Sequence, residues 1–222
     1  MKKVVIGLDV DITKIGMSIV SWSGKLLFSK RIVPSKTAKF FERTVDLVEQ
    51  LNILLLSYSK KYHIKCVAIE DYGAFFVQRT MAQKGEIIGI IKWLLLQYKL
   101  NCFEYDIDKK KKNKVYHERL MIGPSKLKKF IFGKGNVNKA GKSSDLKLLF
   151  YKDTDIENIS DDEIDAFYLA LFAITVLKYD GIKYDENFEI QIGNKKNKLP
   201  RNKFDSFSEI LKVIDKNKYG VK

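Results

Sequence analysis

At 222 residues, 45% of them hydrophobic, the chain suits one α/β domain with a proper core plus an appendage, and two full domains would be a squeeze. Its 41 Lys+Arg against 27 Asp+Glu, formally +14, point to a polyanionic partner, most simply nucleic acid; lysine used as a solubilising surface residue is the plainer alternative. The composition excludes a largely disordered chain and a disulfide scaffold, and no apolar run reaches the ~18 residues of a membrane-spanning helix.

The two cysteines, Cys66 and Cys102, form no CxxC pair and lack zinc-site spacing. Both read as buried thiols in a reducing compartment. The first strand begins almost at Met1, so no signal peptide is expected. The expected location is cytoplasmic, the host cytoplasm if the source is viral.

VVIGLDVD (4–11) is a β-branched, apolar strand carrying a carboxylate. GMSIVSW (16–22), a Ser23-Gly24-Lys25 turn and LLFSKRIV (26–33) complete an antiparallel meander. From Lys36 to Tyr62 the apolar period becomes helical, through Phe40, Phe41, Val45, Leu47, Val48, Leu51, Leu54, Leu55 and Tyr58. KCVAIEDY (65–72) is a further strand, again ending in acid. A helix is expected over 78–98, with Gly85 and Gly89 on one face to allow close backbone approach. NCFEYDID is strand-like; DKKKKNK is an exposed loop within an insertion at 104–118. A short strand at 120–122, a helix opening near Pro124, a Gly-rich basic loop and a helix from Ser143 follow. DDEIDAFYLALFAITVLKY (161–179) is a strong helix with acids in its first turn.

The order βββαβα, then βα, then α, predicts a ribonuclease H-like α/β fold over 1–178. Its mixed five-stranded sheet, three antiparallel strands and then parallel ones, would carry helices on both faces. Residues 179–222 read as a basic C-terminal extension.

That topology sets the first and fourth strands side by side, bringing Asp9 next to Glu70. Asp162 and Asp165, three apart, share one face of the last helix. Taken singly, each acid could be an ordinary strand-end or helix N-terminal residue; together they converge from three segments. Such a cluster is costly unless cations balance it, and hard oxygen ligands suit Mg²⁺, with Mn²⁺ as a substitute. Two ions per site would form the clamp used in phosphodiester hydrolysis. Asp11 reads as a turn neighbour.

The motifs resemble the RuvC family of Holliday junction resolvases, especially its phage-type members. IGLDVDITKIGMSIV matches the opening strand with Asp9 in the acid position, although Val10-Asp11 stand where the family usually has Pro-Gly. AIEDY matches the second acidic motif with Glu70, and DDEIDAFYLALF the closing one with Asp162 and Asp165. PSKLKKFIFGKGNVNK resembles the family's basic helix and Gly-x-Gly loop. The resemblance implies a crossover junction endodeoxyribonuclease that makes paired cuts, with Lys128 and Lys139 important for catalysis or junction binding. It implies a homodimer joined through the helix at 78–98, acting on four-way and other branched DNA.

Around that site, Lys126, Lys129, Lys134 and Asn136 lie in the basic segment suited to phosphate contact. Tyr72, Phe75 and Phe76 follow Glu70 directly; they either stack on an unpaired base at the junction centre or begin the helix core. Two alternatives differ in class: a catalytically inactive branched-DNA-binding protein, and an actin-like ATPase, whose first phosphate loop GLDVDITKIG also resembles. The latter generally needs a duplicated domain and a later Gly-rich adenosine motif, and neither is seen in the chain.

Overall fold

β1 (Lys2–Val10) shows how alternation divides the molecule into layers. Val4, Ile6, Leu8 and Val10 enter one core, while Val5 enters the other. In the computed structural model, the described residues are 1–35, 39–70, 78–100, 102–103, 121–122, 127, 131, 139–178, 183–184, 189–192 and 195–198.

β1 pairs antiparallel with β2 (Ile15–Ser21), which pairs antiparallel with β3 (Leu26–Ile32). On its other side β1 pairs parallel with β4 (Tyr62–Glu70). Every position of β2 is buried, as a strand covered on both faces requires. The meander and the parallel addition are as the sequence predicts, although β4 begins at Tyr62 rather than Lys65.

The expectation of five strands is corrected. Four strands are full length; at the outer edge of β4 lie two two-residue pieces, β5 (Cys102–Phe103) and β6 (Met121–Ile122). β5 pairs with Val67 and Ala68, and β6 with Ile69 and Glu70, so both run along one edge in succession. Neither piece is long enough to make a fifth full strand.

α1 (Phe40–Lys61) and α2 (Gln78–Gln97) cover one face of the sheet. Leu47, Leu51 and Leu55 of α1 and Ile87, Ile88, Ile91, Leu94 and Leu95 of α2 pack there on Val67 and Ile69. Phe41 and Val45, counted in the apolar period of this helix, are exposed, because they lie off the Leu47–Leu51–Leu55 stripe. On the other face lie α3 (Lys139–Thr154) and α4 (Asp161–Lys178). α3 starts four residues before the expected Ser143. Leu127 and Ile131, four apart and helical, are buried in the same core. α4 is buried on nearly all sides from Ile164 to Thr175, which explains its almost continuous apolar sequence.

In the C-terminal extension a second small sheet forms, β7 (Lys183–Tyr184), β8 (Glu189–Ile192) and β9 (Lys195–Lys198), all antiparallel. Ile192 pairs with Lys195 at the end of the β8–β9 register. The sequence reading found no strands here. Among the described residues no helix is long and apolar enough to cross a membrane, and Cys66 is buried and in no disulfide.

Candidate active site

Two glycines let α4 approach the sheet. A Cβ on Gly7 would lie 1.8 Å from the Ala166 carbonyl oxygen, and one on Gly16 would lie 2.1 Å from that of Asp162. No side chain fits either gap, so the sequence Gly7-x-Asp9, with Gly16 opposite Asp9, sets the helix start directly above the acid.

The helix start is itself pinned. Ser160 is the N-cap and Glu163 reaches back to it, accepting its N–H at 3.2 Å and its hydroxyl at 2.6 Å. The other Glu163 oxygen accepts the Ser29 hydroxyl of β3 at 2.7 Å, and the Glu163 carbonyl accepts the Ser18 hydroxyl of β2 at 2.8 Å. Glu163 therefore ties the first turn of α4 to two strands. The sequence reading missed this role, although Ser-x-x-Glu before an apolar run is the capping-box signature.

Asp9 and Glu70 meet as the topology predicts. Leu8 pairs with Ile69, and the next residues are the two acids. Alternation puts Asp9 on the face of Val5, and Glu70 on that of Cys66 and Ala68, both facing α4. Burial is the largest reason that the Asp9 carboxyl titrates well above its ordinary value. The charge of Glu70 and the hydrogen bond that Asp9 donates to it add to this; Lys84 opposes the shift, and Asp162 reinforces it.

Asp162 lies close enough to influence Asp9, but its oxygens are held by cations. Lys14 Nζ is 2.7 Å from one oxygen and Arg31 Nε is 3.1 Å from the other. Asp165 follows one turn later on α4, half-buried. The structure thus brings Asp9 and Glu70 into contact, sets Asp162 nearby in a separate ion cluster, and leaves no group of three acids or other ligands arranged around one metal position among the described residues. The donor chemistry still fits a hard cation at the pair: two carboxyl groups in contact, whose mutual repulsion raises the pKa of Asp9 and which a divalent ion would balance.

Lys84 of α2 was also missed. It is 7% exposed, with Nζ 3.7 Å from Glu70 Oε2. The signal was available, because Lys84, Ile87, Ile88 and Ile91 share one helical stripe and Lys84 breaks its apolar pattern. Lys14 and Arg31 gave no such signal; each is an ordinary charged residue until α4 is placed.

Asp11 is the turn residue it was read as: its N–H donates to the Lys14 carbonyl at 2.9 Å, and its carboxylate accepts the Thr13 hydroxyl at 3.0 Å. Tyr72, Phe75, Phe76, Lys126, Lys128, Lys129, Lys134 and Asn136 lie outside the described residues, as does the side chain of Lys139, the first residue of α3.

No family model matches the chain, and no curated protein matches it in sequence. Among solved structures it is similar to Thermus thermophilus RuvC at 15% identity, over 80% of this chain and 96% of that one, with a TM-score of 0.57. It is also similar to T. thermophilus RuvC in complex with Holliday junction substrate, at 17% identity over 78% and 95%, with a TM-score of 0.54. These likenesses, in step with the strand order and the two helical layers, establish the fold: a ribonuclease H-like architecture of the kind seen in RuvC.

Proposed function

We propose that the protein is a RuvC-type, metal-dependent endonuclease that resolves four-way DNA junctions and acts on related branched DNA. The observation that carries this reading is the contact between Asp9 and Glu70 on adjacent central strands, beneath the acid-bearing start of α4. The motif resemblance, closer to the phage-type members, and the net charge of +14 support it.

Asp9 and Glu70 would hold Mg²⁺, or Mn²⁺ in its place, with Asp162 and Asp165 completing the set for two ions. When bound, the metal supplies an activated water and stabilises charge on the leaving 3′ oxygen. The protein's own part is placement. β1 and β4 fix the carboxylate pair, and Glu163 with Ser18 and Ser29 fixes the helix that brings the other acids. Lys14 and Arg31 balance Asp162 at the helix start. The basic segment around Lys126, Lys128, Lys129, Lys134, Asn136 and Lys139 would take junction phosphates, and Tyr72, Phe75 and Phe76 would stack at the opened centre.

Paired cuts require two sites related by a two-fold axis, which a homodimer provides. α2 supports this arrangement. Trp93 is 61% exposed, Leu96 66% and Ile90 36%, and a Cβ on Gly89 would meet nothing within 4 Å. The close approach expected at Gly89 is therefore not made among the described residues; the open glycine beside three exposed apolar side chains suits a partner helix.

A panel of synthetic four-way junction, fork, flap and linear duplex with Mg²⁺ tests the reading. Paired, symmetric cuts with 5′-phosphate ends on the junction are expected. Equal cutting of linear duplex would contradict structure selectivity, and no cutting of any branched DNA would contradict the activity.

A further inference from the structure

Lys84 stands at a core position, and a buried lysine is rare unless its charge is used. Its Nζ lies 3.7 Å from Glu70 Oε2, and both side chains are largely covered, at 9% and 15% exposure. The separation is too long for a strong hydrogen bond, so the interaction is mainly one of charge. An ion pair in such a place is a poor source of stability, because desolvation offsets the attraction. A methionine would fill the same stripe beside Ile87, Ile88 and Ile91 with no charge to desolvate. What methionine could not do is balance the acids. The charge of Lys84 reaches Asp9 as well as Glu70, and it opposes the effects of burial and of the neighbouring carboxylates there.

We infer that Lys84 is a positioning residue of the nuclease site, an internal cation that holds the Glu70 carboxylate in place before metal arrives and weakens metal binding in exchange for that order. The inference rests on Asp9 and Glu70 being metal ligands. It sets two effects against each other. A fixed positive charge a few ångströms from the ligands repels an incoming divalent ion. The same charge keeps Glu70 from swinging away, and a misplacement of about 1 Å can cost about a hundredfold in rate.

The test is Lys84→Met beside Lys84→Arg. Mn²⁺ affinity is measured by calorimetry on DNA-free protein, single-turnover junction cleavage at saturating Mn²⁺, and Tm without metal. Lys84→Met is expected to bind Mn²⁺ tighter by about tenfold or more and to cleave about ten- to a hundredfold slower, with Tm unchanged or raised. Lys84→Arg, which keeps the charge, is expected to stay within about threefold of wild type in affinity. Unchanged affinity and rate in Lys84→Met overturns the inference. Lowered Tm with weaker Mn²⁺ binding also overturns it, by making the lysine merely structural. Should Lys84→Met not fold, the Arg variant decides alone: tenfold altered affinity overturns the inference, and retained affinity and activity sustain it. A wild-type protein that binds no Mn²⁺ overturns the metal-site reading itself and the inference with it.

Discussion

Asp9 carries a different burden from the other acids of the site, because it is half-buried at the end of β1 and in contact with Glu70. In the unfolded chain it titrates in the ordinary carboxylate range; in the fold it keeps its proton to higher pH. Between those two values the folded state binds more protons than the unfolded state, so stability falls as pH rises through that window. Asp9→Asn should therefore raise the metal-free Tm at pH 8, since it removes a carboxyl whose ionisation the fold opposes. The gain should shrink as the pH falls through about 4 and vanish below it, where the wild-type carboxyl is protonated in both states. Scanning calorimetry across that range checks it, and a variant less stable than wild type at pH 8 contradicts it. Mn²⁺ should reverse the order by stabilising wild type and leaving Asp9→Asn unmoved.

At this scale the sequence was informative where geometry is local. Alternation along a strand states which face Asp9 and Glu70 occupy, and parallel neighbours then must meet. Lys84 was equally legible as a charge on an apolar stripe, and was passed over. The Lys14–Asp162 and Arg31–Asp162 pairs were not legible, because they join residues more than a hundred positions apart across a helix whose height above the sheet is set by backbone contact.

Among the elements, α4 is the one on which the site depends. It touches the sheet through Gly7 and Gly16, and Ser160 and Glu163 fix its first turn. Gly7→Ala should destabilise the fold by about 3 kcal/mol or more, because the gap at the Ala166 carbonyl is bounded by backbone that cannot rotate aside. Gly16→Ala should push on Asp162 and lower cleavage more than stability, since the first turn can shift where the buried middle of α4 cannot. Chemical denaturation and single-turnover rates separate the two; a Gly7→Ala protein of wild-type stability contradicts this packing. Long elements were visible in the sequence, α1 by its helical period and β1, β2 and α4 by their apolar runs. The pieces of the outer sheet edge were visible as well, in the strand-like NCFEYDID and the short strand expected at 120–122; their two-residue length was not, because so short a strand has no period to read. The small sheet at 183–198 escaped for a related reason: β9 is Lys-Lys-Asn-Lys, without an apolar alternation.

For the whole molecule, the fold sets one helix, α2, between two tasks. Its inner stripe carries Lys84 and the isoleucines of the core, and its outer surface carries Ile90, Trp93 and Leu96. If α2 is the dimer face, Trp93→Glu should convert a species of twice the chain mass into monomer, read by light scattering after gel filtration. Its Tm should change little, because Trp93 is exposed within the chain. A wild-type monomer at micromolar concentration contradicts the dimer. The monomeric variant should nick one strand of a junction where the dimer makes paired cuts.

The most direct test of the central claim is single-turnover cleavage of a four-way junction with Mg²⁺ by wild type and by Asp9→Asn, beside junction binding by both in Ca²⁺. Wild type should cut opposing strands, while Asp9→Asn should bind the junction with wild-type affinity and cut at least about a thousandfold more slowly. An Asp9→Asn protein as active as wild type would contradict the account.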